Sequence, residues 1–227
     1  MSESITSSRR PSRVSKSFCR YLRTFAAAIA SLAAVAAFAQ GTLREGFNYT
    51  VVKPVQPTGA PAGKVEVIEF FGYWCPHCSE FEPTMSDWSK RNDAKVSMVY
   101  VPVPLQFRAS ESGFQKLYYT LDVMGKEKEL RRKVFTSIHN DQSLPFTADL
   151  GTMATWAEKN GLDKKKFIDT FNSFTVTSKV NRANQMATAY GVTGVPMLGI
   201  GGKFLANVDS RSIGNADLLV SRALTEK

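Results

Sequence analysis

Short apolar runs and long stretches of helical periodicity follow one another along the chain in an informative order. Tyr49-Thr50-Val51-Val52 reads as an edge strand, and Pro54, Pro57 and Pro61 mark an irregular connection after it. Lys64 to Phe71 is β-branched, aromatic and almost wholly apolar after Glu66, which predicts a buried central strand. From Pro76 the period changes: Phe81, Met85 and Trp88 recur at helical spacing, and Asn92 closes the run. Lys95 to Val103 is strand-like again, ended by Pro102 and Pro104.

The following stretch of about 85 residues is helical in pattern. Ser112 and Gln115 suggest a capping box before Phe114, Leu117, Tyr118 and Leu121, and a second stripe holds Leu130, Val134, Phe135 and Ile138. Further stripes run through Leu150, Met153, Ala154 and Ala157 to Asn160-Gly161, and through Phe167, Ile168 and Phe171. The last carries Val176, Val180, Ala183, Ala187 and Tyr190, with Gly191 as its C-terminal cap. Strand character returns from Met197 to Ala206, where Gly201-Gly202 suits a two-residue hairpin turn. Asn215 then caps an amphipathic helix through Leu218, Leu219 and Ala223. This order predicts an α/β fold whose sheet is assembled from both ends of the sequence, with helices between its halves.

Length and composition agree, since 227 residues at 43% hydrophobic content can bury a sizeable core. The first 39 residues stand apart. Arg9, Arg10, Arg13, Lys16, Arg20 and Arg23 precede an uncharged run from Phe25 to Ala39 that closes on Ala37-Phe38-Ala39. This is the pattern of a secretory signal peptide cut before Gln40, and the run is shorter than the roughly 20 residues a spanning helix needs. Removing six basic residues and Glu3 leaves 23 cations against 19 anions, so the net charge falls from +9 to +4. A nucleic-acid partner loses its main support, because Lys164-Lys165-Lys166 reads as a solvated helix face.

Cys19 leaves with the leader, so the mature chain keeps only Cys75 and Cys78, in "EFFGYWCPHCSEFEP". An oxidising compartment suits a disulfide, yet a bridge over two residues closes too short a loop to be an effective staple. A zinc site would need two more ligands, and the mature chain has only His77, awkwardly placed between the cysteines, and the isolated His139. Redox chemistry fits better. If a helix begins at Cys75 or Pro76, proline is welcome in its first turn, and the helix N-terminus stabilises a Cys75 thiolate. His77 adds a hydrogen bond or a positive charge. Cys75 is expected to be the exposed, acidic member and Cys78 the shielded one. Glu69 interrupts an apolar strand six residues earlier, either as a carboxylate with a proton-transfer task or as a residue on a partly exposed sheet face. Gly194-Val195-Pro196 opens a later strand as either a cis or a trans peptide.

Glu69 to Glu82 with Cys75-Pro76-His77-Cys78, the later Gly194-Val195-Pro196 and the helical block between them resemble the DsbA family of bacterial periplasmic thiol-disulfide oxidoreductases. The resemblance implies a thioredoxin-like domain over 40–105 and 189–227, interrupted by an all-helical domain over 106–188. It implies a catalytic set of Cys75, Pro76, His77, Cys78 and Glu69, and a cis Val195-Pro196 beside the disulfide that pairs with substrate by strand addition. It also implies a monomeric periplasmic enzyme with no cofactor beyond its redox-active disulfide. Its substrates would be reduced exported proteins, and a DsbB-like quinone-linked membrane oxidase would reoxidise it. An isomerase or reductase would be expected to carry a dimerisation module, and a peptide-binding chaperone would hold a merely structural bridge. One departure stands out: the family's best-known member pairs its strand glutamate with a lysine on the next strand, and Met98-Val99-Tyr100-Val101 has none.

Overall fold

β2 (Val65–Phe71) decides the architecture: all seven of its residues are buried, so it needs partners on both edges and cover on both faces. β3 (Val96–Pro102) runs parallel along one edge, with Glu69 opposite Tyr100. β4 (Met197–Ile200) runs antiparallel along the other. β5 (Phe204–Asn207) and β1 (Tyr49–Val51) complete a sheet of order β1-β5-β4-β2-β3. The computed structural model describes residues 43–104, 112–209 and 211–226. The leader over 1–39 and its cleavage point before Gln40 lie outside them.

Alternation along β2 separates two cores. Val65 and Val67 pack with Phe81, Met85 and Trp88 of α1 (Pro76–Arg91) and with Leu219 and Val220 of α7 (Gly214–Thr225). The Trp88 indole donates to Asp217 at 2.8 Å and so ties these two helices together. Ile68 and Phe70 belong to the larger core, which is shared with the helices that follow β3. These are α2 (Gly113–Val123), α3 (Glu127–His139), α4 (Leu150–Lys159), α5 (Lys164–Phe171) and α6 (Phe174–Tyr190). The fold is thioredoxin-like with a helical insertion between β3 and β4, in line with the resemblance.

Helix ends are mostly where the stop and start residues put them. Asp149, Asp163 and Ser173 each accept a backbone N–H in the first turn of α4, α5 and α6. Gly191 ends α6 in the left-handed region at φ 71°.

Three local expectations are corrected. Ser112 makes no capping bond, because Gln115 is buried and turns to the Pro102 carbonyl and to Asn184 instead, each at 2.8 Å. The β4–β5 hairpin has three turn residues, Gly201, Gly202 and Lys203, since Ile200 pairs with Phe204. Both glycines there have positive φ, and Gly201 N–H donates to Glu66 O. Asn215 lies inside α7, not at its cap; the preceding turn is organised by Asp209, whose carboxylate accepts from the backbone N–H groups of Arg211 and Ser212.

Candidate active site

The cysteine pair sits where β2 ends and α1 begins. Cys75 is the N-cap residue in extended conformation, Pro76 occupies the first turn, and Cys78 lies one turn inside. Pro76 and His77 are exposed, and His77 Nδ1 stands 3.7 Å from the Glu80 carboxylate on the solvated face of the helix. Both cysteines are free thiols, so the structure describes the dithiol.

Cys75 is not the exposed residue the sequence suggested: it is 4% exposed, against 0% for Cys78. The difference arises from the second chain segment at the site. Val195-Pro196 is cis, and the Val195 carbonyl oxygen lies 3.7 Å from the Cys75 sulfur, covering it. The thiols nevertheless differ sharply in acidity. A hydrogen bond from the Cys78 thiol is the main influence that draws Cys75 down to about 6; the Cys78 and His77 backbone N–H groups and the His77 charge assist, against the effect of burial. Cys78 is pushed far above the ordinary thiol range, first by burial, then by its bond to Cys75 and the negative charges of Cys75 and Glu69.

Glu69 is buried at 4% exposure, so the alternative of a partly exposed sheet face is overturned. It shares a face of β2 with Val65 and Val67, the face that α1 covers. Burial raises its carboxyl to about 8; the Arg131 charge works against that rise, and Glu82 and Glu127 add to it. The strand position opposite it holds Tyr100 and no lysine, and the cation whose charge acts on it is Arg131 of α3. Arg131 stacks over the Tyr100 ring at 3.1 Å from Cζ to the centroid, and it is clamped by Glu127 through two bonds of 2.6 and 2.7 Å.

Three residues that matter to the site escaped the sequence reading. Glu127 and Arg131 stand at i and i+4 on the same helical stripe as Val134 and Ile138, and this spacing was the available signal. His139, which the sequence offers only as an isolated surface or helix-end residue, is the last residue of α3. Its Nε2 lies 2.8 Å from the Tyr73 carbonyl oxygen, two residues before Cys75. A carbonyl can only accept, so Nε2 carries the proton and donates. The His139 ring stacks on Phe135 and meets the edge of Phe146, which is 55% exposed. Among the described residues, no group of three or more His, Cys, Asp or Glu side chains could hold a metal.

A dithiol at a helix N-terminus, one thiol acidic and one strongly protonated, beside a cis-proline loop, is equipped for thiol-disulfide exchange. Residues 66–218 match the family described as DSBA-like thioredoxin domain. The chain is 40% identical over 181 residues to the thiol:disulfide interchange protein DsbA of Bordetella parapertussis, covering 79% of this chain and 84% of that protein. It is 35% identical over 200 residues to the protein of the same name from Pseudomonas aeruginosa, covering 88% and 92%. The crystal structure of oxidoreductase DsbA from Xylella fastidiosa superimposes with a TM-score of 0.74 at 29% identity, covering 80% of this chain and 98% of that one. The chain belongs to the DSBA-like thioredoxin domain family and is a protein disulfide oxidoreductase.

Proposed function

We propose that the protein donates a Cys75–Cys78 disulfide to newly exported proteins in the periplasm, after removal of the leader before Gln40. The observation that carries this reading is the asymmetry of the two thiols, with Cys75 lowered to about 6 and Cys78 raised. At pH 7 Cys75 in the dithiol is about ten parts thiolate to one part thiol. A stabilised thiolate favours the reduced form, so the disulfide is a ready acceptor of electrons from other proteins.

In the forward reaction a substrate thiolate attacks the Cys75 sulfur. A substrate-S–Cys75 bond forms, the Cys75–Cys78 bond breaks, and the electron pair passes to Cys78. Because the Cys78 thiol is so weakly acidic, it takes a proton, and Glu69 is the buried acid on the facing strand. A second substrate thiolate then attacks the substrate sulfur of the mixed disulfide and expels Cys75 as the thiolate. Substrate is thereby oxidised by two electrons and the enzyme reduced by two. The backbone of Val195 and Pro196 positions the substrate chain beside Cys75 by strand addition, and the exposed His77 meets it from the other side.

Reoxidation runs the same chemistry in reverse, with a DsbB-like quinone-linked membrane protein as electron acceptor. Cys78 must now give up its proton, and Glu69 takes it back. A carboxyl at about 8 can serve in both directions near neutral pH, which supports this role. The helical insertion, read from the sequence as 106–188, roofs the site through His139, and the enzyme acts as a monomer with its disulfide as the sole redox group.

Equilibration with glutathione buffers and thiol alkylation tests the donor role: the bridge should open in mildly reducing buffer. A bridge that stays closed under strongly reducing conditions would sink it. Cys78→Ala should accumulate mixed disulfides with exported proteins through Cys75, and their absence would favour a merely structural pair.

A further inference from the structure

The Glu69 carboxyl and the groups around it come from four elements. Glu69 of β2 and Tyr100 of β3 are register partners on parallel strands, so their side chains leave the same face of the sheet. Cys78 and Glu82 stand one turn apart on α1, and Glu127 and Arg131 one turn apart on α3. Glu127 and Arg131 are buried at 7% and 8% exposure, although they belong to the types least often found inside. The Glu127 fork holds Nε and Nη2 of Arg131 and so fixes the guanidinium plane against Tyr100. A groove of about 1260 Å³ reaches Glu82, Tyr100, Glu127 and Arg131 from solvent.

A buried ion pair contributes little to stability compared with apolar residues of similar size, so its presence calls for another explanation. We propose that Arg131, clamped by Glu127 and seated on Tyr100, is a positioning residue that keeps the ionised form of Glu69 within reach, so that Cys78 can lose its proton during reoxidation. The proposal rests on the relay reading of Glu69 given above. It assigns the charge partner of the buried acid to the helical insertion instead of to the neighbouring strand.

The charges acting on Glu69 agree with the geometry. Arg131 favours its carboxylate form, whereas Glu82 and Glu127 oppose it. Glu82 is itself engaged with Arg132 at 3.5 Å. Glu127 therefore has two opposed effects: it repels charge on Glu69 directly, and it anchors the cation that attracts it.

The test is a ¹³C-carboxylate NMR titration of Glu69 in the reduced protein, for wild type, Arg131→Met, Arg131→Lys and Glu127→Gln. Arg131→Met should move the Glu69 midpoint up by about one pH unit or more, a tenfold loss of carboxylate at neutral pH per unit. Resolution of a glutathione mixed disulfide by Cys78 should slow by the same factor. Arg131→Lys, which keeps the charge, should restore most of both. Glu127→Gln keeps an amide oxygen to hold the guanidinium and removes the repelling charge, so it should move the midpoint down, and it keeps the proposal testable should Arg131→Met fold poorly. A midpoint that ignores both Arg131→Met and Glu127→Gln would overturn the proposal. Failure of the underlying relay reads out separately: Glu69→Gln would then resolve the mixed disulfide at the wild-type rate while the Arg131 variants still shift the Glu69 titration.

Discussion

His139 Nε2 donates to the Tyr73 carbonyl at 2.8 Å, so the last residue of a helix in the insertion holds the backbone two positions before Cys75. This bond joins the helical block to the strand-to-helix junction. It is reinforced by the stack of Phe135 on His139 and by the Tyr73–Phe135 contact at 4.9 Å between centroids. Replacing His139 by Phe keeps the aromatic packing and removes the donor. Urea unfolding should show a loss of about 1–2 kcal/mol, with the Tyr73 carbonyl left unpaired. A loss within error of zero would show that the junction is held by packing alone.

Cys75 has a folded value of about 6, below the ordinary thiol value of 9. Between the two the unfolded chain binds the extra proton, so this group adds stability to the dithiol as pH rises through that window. The contribution is complete above about 9 and lost as pH falls through about 6. The stability difference between the reduced protein and its Cys75→Ser variant should therefore grow from pH 6 to 9. Thiolate absorbance at 240 nm should titrate with the same midpoint. A flat difference across this range would remove the basis for an acidic Cys75.

Glu69 acts in the opposite sense. Its folded value of about 8 exceeds its ordinary 4.5, so the native state holds the extra proton between them and stability falls as pH rises. Glu69→Gln should gain on wild type by a few kcal/mol, on the order of the linked shift, between pH 4.5 and 8. Any fixed cost of burying an amide offsets both ends equally and leaves the slope intact. Denaturant midpoints at four or five pH values measure it, and a gap that does not widen toward pH 8 would contradict the buried-acid assignment.

Gly72 precedes the active-site turn with no room for a side chain. A Cβ there would collide with the Trp74 indole, whose Nε1 donates to the Val103 carbonyl at 3.1 Å. Gly72→Ala should displace Trp74, change its fluorescence and destabilise the protein by about 1–3 kcal/mol. Unchanged tryptophan emission together with wild-type stability would show that the indole has another place to go.

Much of the fold was legible in the sequence, because its signals are local and periodic. The continuous apolar run of β2, the helical spacing from Phe81 to Trp88 and the caps Asp149, Asp163, Ser173 and Gly191 each depend on neighbours a few residues away. The placement of Cys75 at a helix N-terminus followed from the same local reading, with Pro76 in the first turn. Gln115 was misread because its pull came from Asn184, 69 residues on, and no local motif reveals that competition.

The sequence by itself determined which thiol would be acidic, since the Cys78 thiol and the Cys78 and His77 N–H groups that stabilise the Cys75 thiolate belong to the same short segment. Only the tertiary structure decided how covered that thiol is, because Val195 arrives from 120 residues away. The same holds for Glu69. Its burial could be suspected from its apolar neighbours, but its cation could not be found by searching the adjacent strand. Electrostatic partners are set by distance through the folded interior, and Arg131, stacked on the Tyr100 ring opposite Glu69, belongs to a helix that the chain enters about 60 residues later.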